Sequence, residues 1–282
     1  MLRSMITAAN SMNQLQRQLD TISHNIANLN TNGYKRRETN FGELLTQQFT
    51  NLPKDEANRL TPDGVRYGVG AKLAETSIVL NQGTVINTGR ELDVAFTREG
   101  QFFRVLVQAE NGLETVHYTR DGAFYLSPLA ENPDQLMLVT KEGYPVLDSN
   151  NEPIVVEDGF KNIVISDKGE VSVIGEGGET MQTFELGVTT ILRPQLLQSV
   201  GENLYGLPNL DELNVNEADV VVNMVGNLRE QVGIRQSALE QSNVDLVTEM
   251  TDMMVAQRSY QMSARSISLS DQMMGLINGI RQ

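Results

Sequence analysis

Apolar side chains near the start of the chain recur at a spacing that favours one long helix. They fall on two columns of positions seven apart, Met5, Met12, Leu19 and Ile26 in one and Ala8, Leu15, Ile22 and Leu29 in the other. Two such columns place an apolar residue about every 3.5 positions, which is the spacing of a coiled-coil seam. The pattern predicts a helix that runs into the asparagine-rich stretch HNIANLNTNGYK at residues 24–35. We expect it to end at Gly33, because glycine readily takes the positive φ that stops a helix.

The end of the chain repeats this pattern over a longer distance. One apolar column is uninterrupted and contains Val232, Leu239, Leu246, Met253, Tyr260, Ile267 and Met274. Its companion column is half polar and contains Asn243, Met250, Gln257, Ala264 and Asp271. Since no glycine lies between Gly233 and Gly275 and no proline follows Pro208, the sequence permits a helix from about residue 234 to 278. Helices of this length suit a coiled coil, so we expect the two ends of the chain to pair.

Between the helical ends, the sequence is typical of an extended connector followed by a β domain. Residues 51–72 contain two prolines, three glycines and several charges. Short β-rich runs follow: SIVL from residue 77, TVINT from 84, LDVAF from 92, QFFRVLVQ from 101, ETVHYT from 114, AFYLS from 123, NIVIS from 162 and EVSVI from 170. Asn111-Gly112 and Asp121-Gly122 predict hairpin turns between such runs, and Asp167-Lys168-Gly169 predicts a turn that ends in a glycine bulge.

These elements predict an α+β fold, in which a discontinuous N- and C-terminal α-helical coiled-coil domain flanks an inserted antiparallel all-β domain. The predicted boundaries are an N-terminal helix at 1–33, an extended connector at 34–76, a β-rich domain at 77–230 and a C-terminal helix at 231–282.

The amino-acid composition argues against several classes of function. The 282 residues carry a formal net charge of −14 and no run of lysine and arginine longer than the three residues 35–37, which argues against a nucleic-acid partner. The chain has no cysteine, so disulfides and thiolate metal sites are excluded. In the opening stretch MLRSMITAANSMNQLQRQLD, polar residues recur too often for a cleaved signal peptide or a membrane span. An amphipathic membrane-surface helix is also disfavoured, because the apolar stripe lacks tryptophan and phenylalanine.

Candidate chemistry is sparse. The two histidines, His24 and His117, accompany no nucleophile motif, and both are interpreted as ordinary surface or packing residues. A segment with alternating oxygen ligands, Asp148 to Glu152, resembles a calcium loop, but Pro153 stands where that loop needs glycine. We therefore expect no catalytic residue, no metal and no cofactor. The methionines at the C-terminal end indicate an adaptable packing surface.

Both ends and several internal blocks resemble the bacterial flagellar rod and hook protein family. HNIANLNTNGYKRRETNF is similar to the family's N-terminal motif, with mild departures at His24, Ile26 and Asn32. ALEQSNVDLVTEMTDMMVAQRSYQMSARSISLSDQMM is similar to the C-terminal motif, in which Ser-Asn-Val-Asp precedes a helix bearing Gln-Arg-x-Tyr. NQGTVINTGRELDVAFTREGQFFRV, YTRDGAFYLS, EGYPVL and GENLYG follow in family order, and NGYKRRETNFGELLTQQ looks most like the distal-rod branch.

The resemblance implies a structural, non-enzymatic axial component of the flagellar basal body. Such a protein is exported unfolded by the flagellar type III export apparatus without a cleaved signal peptide. It polymerises with itself and with other rod and hook proteins into a hollow helical tube that transmits torque. A proximal-rod or hook-type paralogue, and a secreted β-domain adhesin or binding module, stay open as alternatives.

The predicted site is therefore an assembly surface on the terminal helices. Its seam comprises Met5, Met12, Leu15, Leu19, Ile22, Ile26, Leu29, Leu239, Leu246, Met250, Met253, Tyr260, Ala264, Ile267 and Met274. Asn25 and Asn243 are predicted to hold the register of the helices, because a buried amide on a seam penalises shifted partners. Asn28 is interpreted as a helix-end cap and Gly33 as the helix terminator.

Overall fold

A computed structural model describes residues 2–43, 46–49, 65–68, 71–108, 114–129, 132, 134–201, 203–208, 210 and 214–280. The chain divides into two units. The first contains residues 1–26, 37–77 and 245–282, and the second contains residues 27–36 and 78–244. Both ends of the chain thus belong to one unit, while the middle forms the other.

The first unit contains the two long helices and two short ribbons of strands. The helices are α1, Leu2–Ala27, and α2, Leu246–Ile280. The strands are β1, Arg37–Glu43, β2, Thr46–Phe49, β3, Val65–Gly68, and β4, Ala71–Ile78. β1 pairs with β4, and β2 pairs with β3 in antiparallel register. The described residues of the predicted extended connector are thus mostly in paired strands, while its residues 44–45, 50–64 and 69–70 lie outside the described part of the chain.

The prediction that α1 ends at Gly33 is wrong. α1 ends at Ala27, and the asparagine-rich stretch that follows forms turns. The N–H of Thr31 donates to the carbonyl of Asn28 at 3.2 Å, which turns the chain immediately after the helix. Gly33 does take a positive φ of 66°, but it lies well beyond the helix end. Asparagine competes for backbone hydrogen bonds, and the helix stops within this stretch, immediately before Asn28.

The predicted start of the C-terminal helix also needs correction. The structure places two strands within the predicted helix, β19, Ile234–Gln236, and β20, Ala238–Glu240. They pair antiparallel with β6 and β5 of the second unit. α2 begins after Asp245, whose carboxylate accepts the N–H of Val247 and the hydroxyl of Thr248. The N–H groups in the first turn of a helix have no acceptor within the helix, and the side chain of Asp245 supplies acceptors there. The helix therefore begins at Leu246, and the earlier members of the heptad column, Val232 and Leu239, lie outside it.

The second unit is an antiparallel β structure, as predicted. Its strands are β5, Val85–Asn87; β6, Val94–Phe96; β7, Gln101–Gln108; β8, Glu114–Thr119; β9, Tyr125–Pro128; β10, Gln135–Val139; β11, Val155–Glu157; β12, Phe160–Ile165; β13, Glu170–Gly175; β14, Thr180–Glu185; β15, Val188–Ile191; β16, Gln198–Gly201; β17, Leu204–Gly206; β18, Val221–Asn223; β19; and β20. Short 3-10 helices occupy Pro194–Leu196, Glu217–Asp219 and Gly226–Gln231.

A six-stranded sheet, in the order β16-β17-β8-β7-β15-β18, organises this unit. Two three-stranded sheets, β11-β10-β9 and β12-β13-β14, accompany it. The central strand β7 is buried on both faces: Phe103 enters a large core cluster, whereas Phe102 enters a second cluster. Successive side chains of a strand point to opposite faces, so the strand QFFRVLVQ, in which five of eight residues are apolar, connects two cores.

The predicted turns have different outcomes. Gly169 takes a φ of 79° between β12 and β13, which confirms the turn at Asp167-Lys168-Gly169. The hairpin predicted at Asp121-Gly122 is wrong, because β8 pairs with β7 and β17, while β9 pairs with β10. Gly122 instead accepts the N–H of Val94 with its carbonyl. Asn111-Gly112 lies outside the described residues.

Candidate functional site

The seam positions of α1 lie on its sheltered side. Ala8 and Ile22 are buried, whereas the exposed positions of α1, including Ile6, Asn13 and Asp20, avoid both columns. The half-buried seam positions are Met5, Met12, Leu15, Leu19 and Ile26. Leu29 is half-buried in the turn that follows α1. An apolar stripe on one side of α1 is therefore present, and its role in assembly stays a prediction.

α2 has a buried row that differs from the predicted companion column. Leu246, Met253, Tyr260, Ile267 and Met274 are all half-buried, as is Ala264. The most buried positions are Glu249, Ala256 and Ser270, which lie three residues beyond members of the apolar column. Met250 is 50% exposed. Small and polar residues thus complete the sheltered side of α2, and a search for apolar residues alone overlooks them.

The opposite side of α2 is also apolar. Val255, Met262, Leu269 and Leu276 each come two residues after a half-buried column residue, and they are 58%, 65%, 58% and 69% exposed. Two residues correspond to about 200° around a helix of 3.6 residues per turn. We define the outer face of α2 as Val247, Met250, Met254, Val255, Met262, Leu269, Met273 and Leu276. A helix that is apolar on two opposite sides is typical of one that is surrounded by neighbours.

Asn25 joins α1 to α2 within the first unit. Its side-chain amide donates to Oε2 of Glu249 at 3.2 Å and to the carbonyl of Arg37 at 2.9 Å. Its Oδ1 accepts the N–H of Arg37 at 3.0 Å. Asn25 and Glu249 are 1% and 2% exposed. A shifted register would leave these buried polar groups without partners, which costs about 1–3 kcal/mol for each group.

Asn243 does not lie on the helix seam, contrary to prediction, because it precedes α2. Its Oδ1 accepts the N–H of Arg36 at 2.7 Å, and its amide donates to the carbonyls of Val79 and Asn81. Leu239 likewise lies on β20, where it is buried. Both residues therefore act within the β unit of this chain. Asn28 accepts the hydroxyl of Thr31 with its Oδ1 just after α1.

Gly33 lies where the N-terminal motif meets the β unit. Its N–H donates to the carbonyl of Glu240 at 2.7 Å. A Cβ at this position would approach the backbone carbon of Arg120 and the backbone nitrogen of Asp121 to 2.5 Å. Glycine is therefore required twice, by the positive φ and by the close approach of another backbone segment.

Two residues further on, Lys35 enters a buried ion cluster, which we define as Lys35, Arg120 and Glu240. Lys35 Nζ lies 2.6 Å from Oε1 of Glu240, and Arg120 Nε lies 2.6 Å from Oε2. All three side chains are at most 1% exposed. The N–H of Gly83 also donates to Oε1 of Glu240 at 2.8 Å. One carboxylate thus binds two cations and one backbone amide.

Burial and charge act against each other in the ion cluster. Burial alone raises the pKa of Glu240, but Arg120 and Lys35 together hold that pKa below its ordinary value. Burial and the neighbouring Arg120 lower the pKa of Lys35, and Glu240 opposes that change. Arg120 also lies over the ring of Phe96, with 4.9 Å between the guanidinium carbon and the ring centroid. The cluster ties the motif after α1 to the last strand before α2.

The loop that resembles a calcium site holds an arginine. Arg104, which is 2% exposed, donates to the carbonyl of Asp148 at 2.8 Å and to Oδ1 of Asn151 at 2.6 Å. Oδ1 of Asp148 accepts the N–H groups of Asn150 and Glu152. Across the described ranges, no group of three or more His, Asp or Glu side chains is close enough to hold a metal ion. Nor does the described part of the chain contain a helix long and apolar enough to cross a membrane.

Sequence reasoning missed Glu240, Arg120 and Glu249. Each is a charged residue in or beside a short apolar run, as in YTRDG, where Asp121 follows Arg120, and in SALEQ. An isolated charge at a position where the pattern expects an inward-facing side chain could have indicated a buried ion pair. Its partner could not be identified, because Lys35 and Glu240 are 205 positions apart.

Comparison with known proteins gives matches along most of the chain. Residues 5–35 match the family described as flagella basal body rod protein. Residues 100–173 match the flagellar hook protein FlgE/F/G D1 domain, and residues 235–280 match the flagellar basal body rod FlgEFG protein C-terminal family. These ranges contain the stripe of α1, the ion cluster and the whole of α2.

Individual relatives match over their full length. The chain is 44% identical to the flagellar hook-basal body complex protein FlhP of Bacillus subtilis, with 100% of both chains covered. It is 33% identical to the flagellar basal-body rod protein FlgG of Borreliella burgdorferi, again with 100% of both covered. It is 31% identical to FlgG of Bacillus subtilis, over 97% of each chain.

Proposed function

Because this chain belongs to the bacterial flagellar basal-body rod family, we propose that it is a non-enzymatic axial subunit that polymerises through its terminal helices. It contacts copies of itself and other rod and hook proteins, and the polymer is a hollow helical tube that transmits torque. Head-to-tail contacts between different surfaces produce such an open polymer, whereas a two-fold contact would close it. The predicted seam residues of both helices contribute to these contacts.

The outer face of α2 is the observation that supports this proposal. It presents eight large apolar side chains on one helix, and Met262, Leu276 and Val247 are 65%, 69% and 73% exposed. Large apolar side chains exposed in this number on one helix favour an interaction site, and Arg258 and Arg265 are exposed among them. The buried row on the other side of α2 shows that the helix already has its intrachain contacts. The outer face is thus available for neighbouring subunits.

The test compares two leucines of similar exposure. Leu269 on the outer face is 58% exposed, and Leu192, which follows β15 in the β unit, is 55% exposed. Each is changed to glutamate in a strain that lacks the chromosomal copy. We expect Leu269→Glu to abolish motility and incorporation into basal bodies, because a charge cannot be buried between subunits without a partner. Leu192→Glu should preserve both. Normal motility with Leu269→Glu would contradict the proposal.

Export belongs to the same proposal. We infer that the flagellar type III export apparatus secretes the chain without cleaving a signal peptide. A strain with an inactive export apparatus should retain the protein in the cytoplasm, and N-terminal sequencing of basal bodies should find an uncleaved start. Secretion that does not depend on this apparatus would instead favour a secreted adhesin or binding module.

The place of the subunit along the axis has two candidates. One is the distal rod, the branch that the segment NGYKRRETNFGELLTQQ resembles. The other is a hook–basal-body paralogue that works beside the distal rod, and it is favoured by the difference between 44% identity to FlhP and 31% identity to FlgG of the same bacterium. The chain can be expressed in Bacillus subtilis strains that lack one or the other protein. Incorporation into basal bodies of the FlhP-deficient strain alone would support the paralogue.

A further inference from the structure

Four methionines lie on the outer face of α2. Met250, Met254, Met262 and Met273 are 50%, 51%, 65% and 47% exposed. In the β unit, Met224 is 5% exposed and Met181 is 46% exposed. Dissolved oxidants can therefore reach the thioethers of all four residues on the unassembled subunit. We define them as the outer-face methionines.

We propose that the outer-face methionines are an oxidation site that controls whether the subunit can assemble. This inference rests on the proposed function, in which the outer face packs against neighbouring subunits. Before assembly, the thioethers are open to a peroxide oxidant. After assembly, the same sulfur atoms are covered. Oxidation therefore acts on the free subunit and spares the finished polymer.

The chemistry needs no group beyond the oxidant. A sulfur lone pair attacks one oxygen of hydrogen peroxide, the O–O bond breaks, and the departing hydroxide takes the proton of the new S–OH group to become water. The thioether is oxidised to a sulfoxide, and the peroxide is reduced by two electrons. Methionine sulfoxide reductases return the sulfoxide to the thioether, so the change is reversible.

The product is unsuited to a packed apolar face. A thioether is flexible and apolar and fills irregular gaps between helices, whereas a sulfoxide carries a strong polar S–O group. Burial of that group between subunits without a hydrogen-bond donor disfavours association. We expect full oxidation to raise the protein concentration needed for polymerisation at least about tenfold, which corresponds to ~1.4 kcal/mol.

The test uses the purified full-length chain and hydrogen peroxide. The first variant changes all four outer-face methionines to leucine, which keeps the face apolar and helix-forming but removes the thioethers. The matched control changes three methionines of the β unit, Met137, Met181 and Met224, to leucine. Polymer formation is measured by sedimentation before and after treatment, and peptide mass spectrometry locates each sulfoxide. Circular dichroism checks that every variant keeps its helices.

We expect peroxide to stop polymerisation of the wild-type chain and of the control variant, but not of the outer-face variant. Methionine sulfoxide reductase should restore the wild-type chain, and preformed polymer should resist oxidation at the four sites. If the oxidised wild-type chain polymerises normally, or if the outer-face variant is equally sensitive, the oxidation proposal is wrong. If the untreated wild-type chain forms no polymer with its own copies, self-assembly itself fails, and the oxidation proposal fails with it.

Discussion

The buried ion cluster allows a quantitative prediction about Glu240→Gln. The substitution keeps the shape of the side chain but removes the negative charge that lies 2.6 Å from both Lys35 Nζ and Arg120 Nε. Two buried cations then lack a counter-ion. Removal of one partner from a buried ion pair costs about 3–5 kcal/mol. Since domains are stable by about 5–15 kcal/mol, this single change should remove a large share of the stability of the β unit.

Lys35→Met is the matched comparison. It removes one of the two cations and leaves Glu240 paired with Arg120, so no uncompensated charge remains. The carbonyl of Asn81 loses its 2.8 Å bond to Lys35 Nζ, and we expect a cost of about 1 kcal/mol for that bond. Glu240→Gln should therefore be clearly more destabilising than Lys35→Met, although both substitutions change one charge.

Measurements at two pH values separate the charge effect from a packing effect. Burial and Arg120 lower the pKa of Lys35 in the folded chain, so the unfolded chain binds more protons between that pKa and 10.5. Stability therefore rises with pH in this window. Without Glu240 the pKa of Lys35 should fall further, so Glu240→Gln should recover part of its loss between about pH 7 and pH 10.

The assay is urea-induced unfolding, followed by circular dichroism and by tyrosine absorbance. The free energy of unfolding is compared among the wild-type chain, Glu240→Gln and Lys35→Met at both pH values. A cost below about 1 kcal/mol for Glu240→Gln, or one no larger than the cost of Lys35→Met, would refute the argument from an uncompensated buried charge. A Glu240→Gln variant that gains no more stability at high pH than the wild-type chain would refute the role assigned to Lys35.

Two further predictions concern the neighbourhood of the ion cluster. Gly33→Ala and Gly89→Ala both force alanine into a positive φ, at 66° and 72°, which costs about 1–2 kcal/mol. A Cβ at Gly89 meets nothing within 4 Å, whereas one at Gly33 meets backbone atoms at 2.5 Å. Gly33→Ala should therefore lower the free energy of unfolding, measured in urea, clearly more than Gly89→Ala does. Equal losses would contradict the close approach at Gly33. Burial raises the pKa of Asp121 from 3.8 to about 6, so the folded chain binds more protons between these values and stability falls as pH rises. Asp121→Asn should remove that slope and stabilise the chain at pH 7 by up to about 3 kcal/mol, and an unchanged difference between midpoints at pH 4 and pH 7 would contradict this.

Much of the fold could be predicted because its signals are local. The run QFFRVLVQ coincides with β7 and ETVHYT coincides with β8, since uninterrupted or alternating apolar residues specify a strand within a few positions. The stripe of α1 also follows from its own periodicity. The predictions failed where long-range pairing overrides a local signal. The heptad column continues through Leu239, but pairing of β20 with β5 holds that segment as a strand.

The candidate site was predictable in part. Periodicity identified the half-buried column of α2 from Leu246 to Met274. It did not identify Glu249, Ala256 and Ser270, because these residues are buried by their position on the helix, although their side chains are small or polar. The outer face was also not predicted, since all of its residues except Met250 lie between the predicted columns. An apolar residue in a sequence does not indicate whether its own chain or a neighbouring subunit covers it.

The sequence by itself determined that two long helical ends flank an antiparallel β region, and its motifs were sufficient to indicate the family. Those properties depend on residues close together in the chain. The tertiary structure decided where Lys35, Arg120 and Glu240 meet, across separations of 120 and 205 positions. It also decided which side of α2 is buried and which is exposed. The local sequence pattern does not distinguish which side of a helix will be buried or which charged residues will pair. Long-range packing makes that choice, and it thereby determines the position of the buried charges and of the outer face of α2.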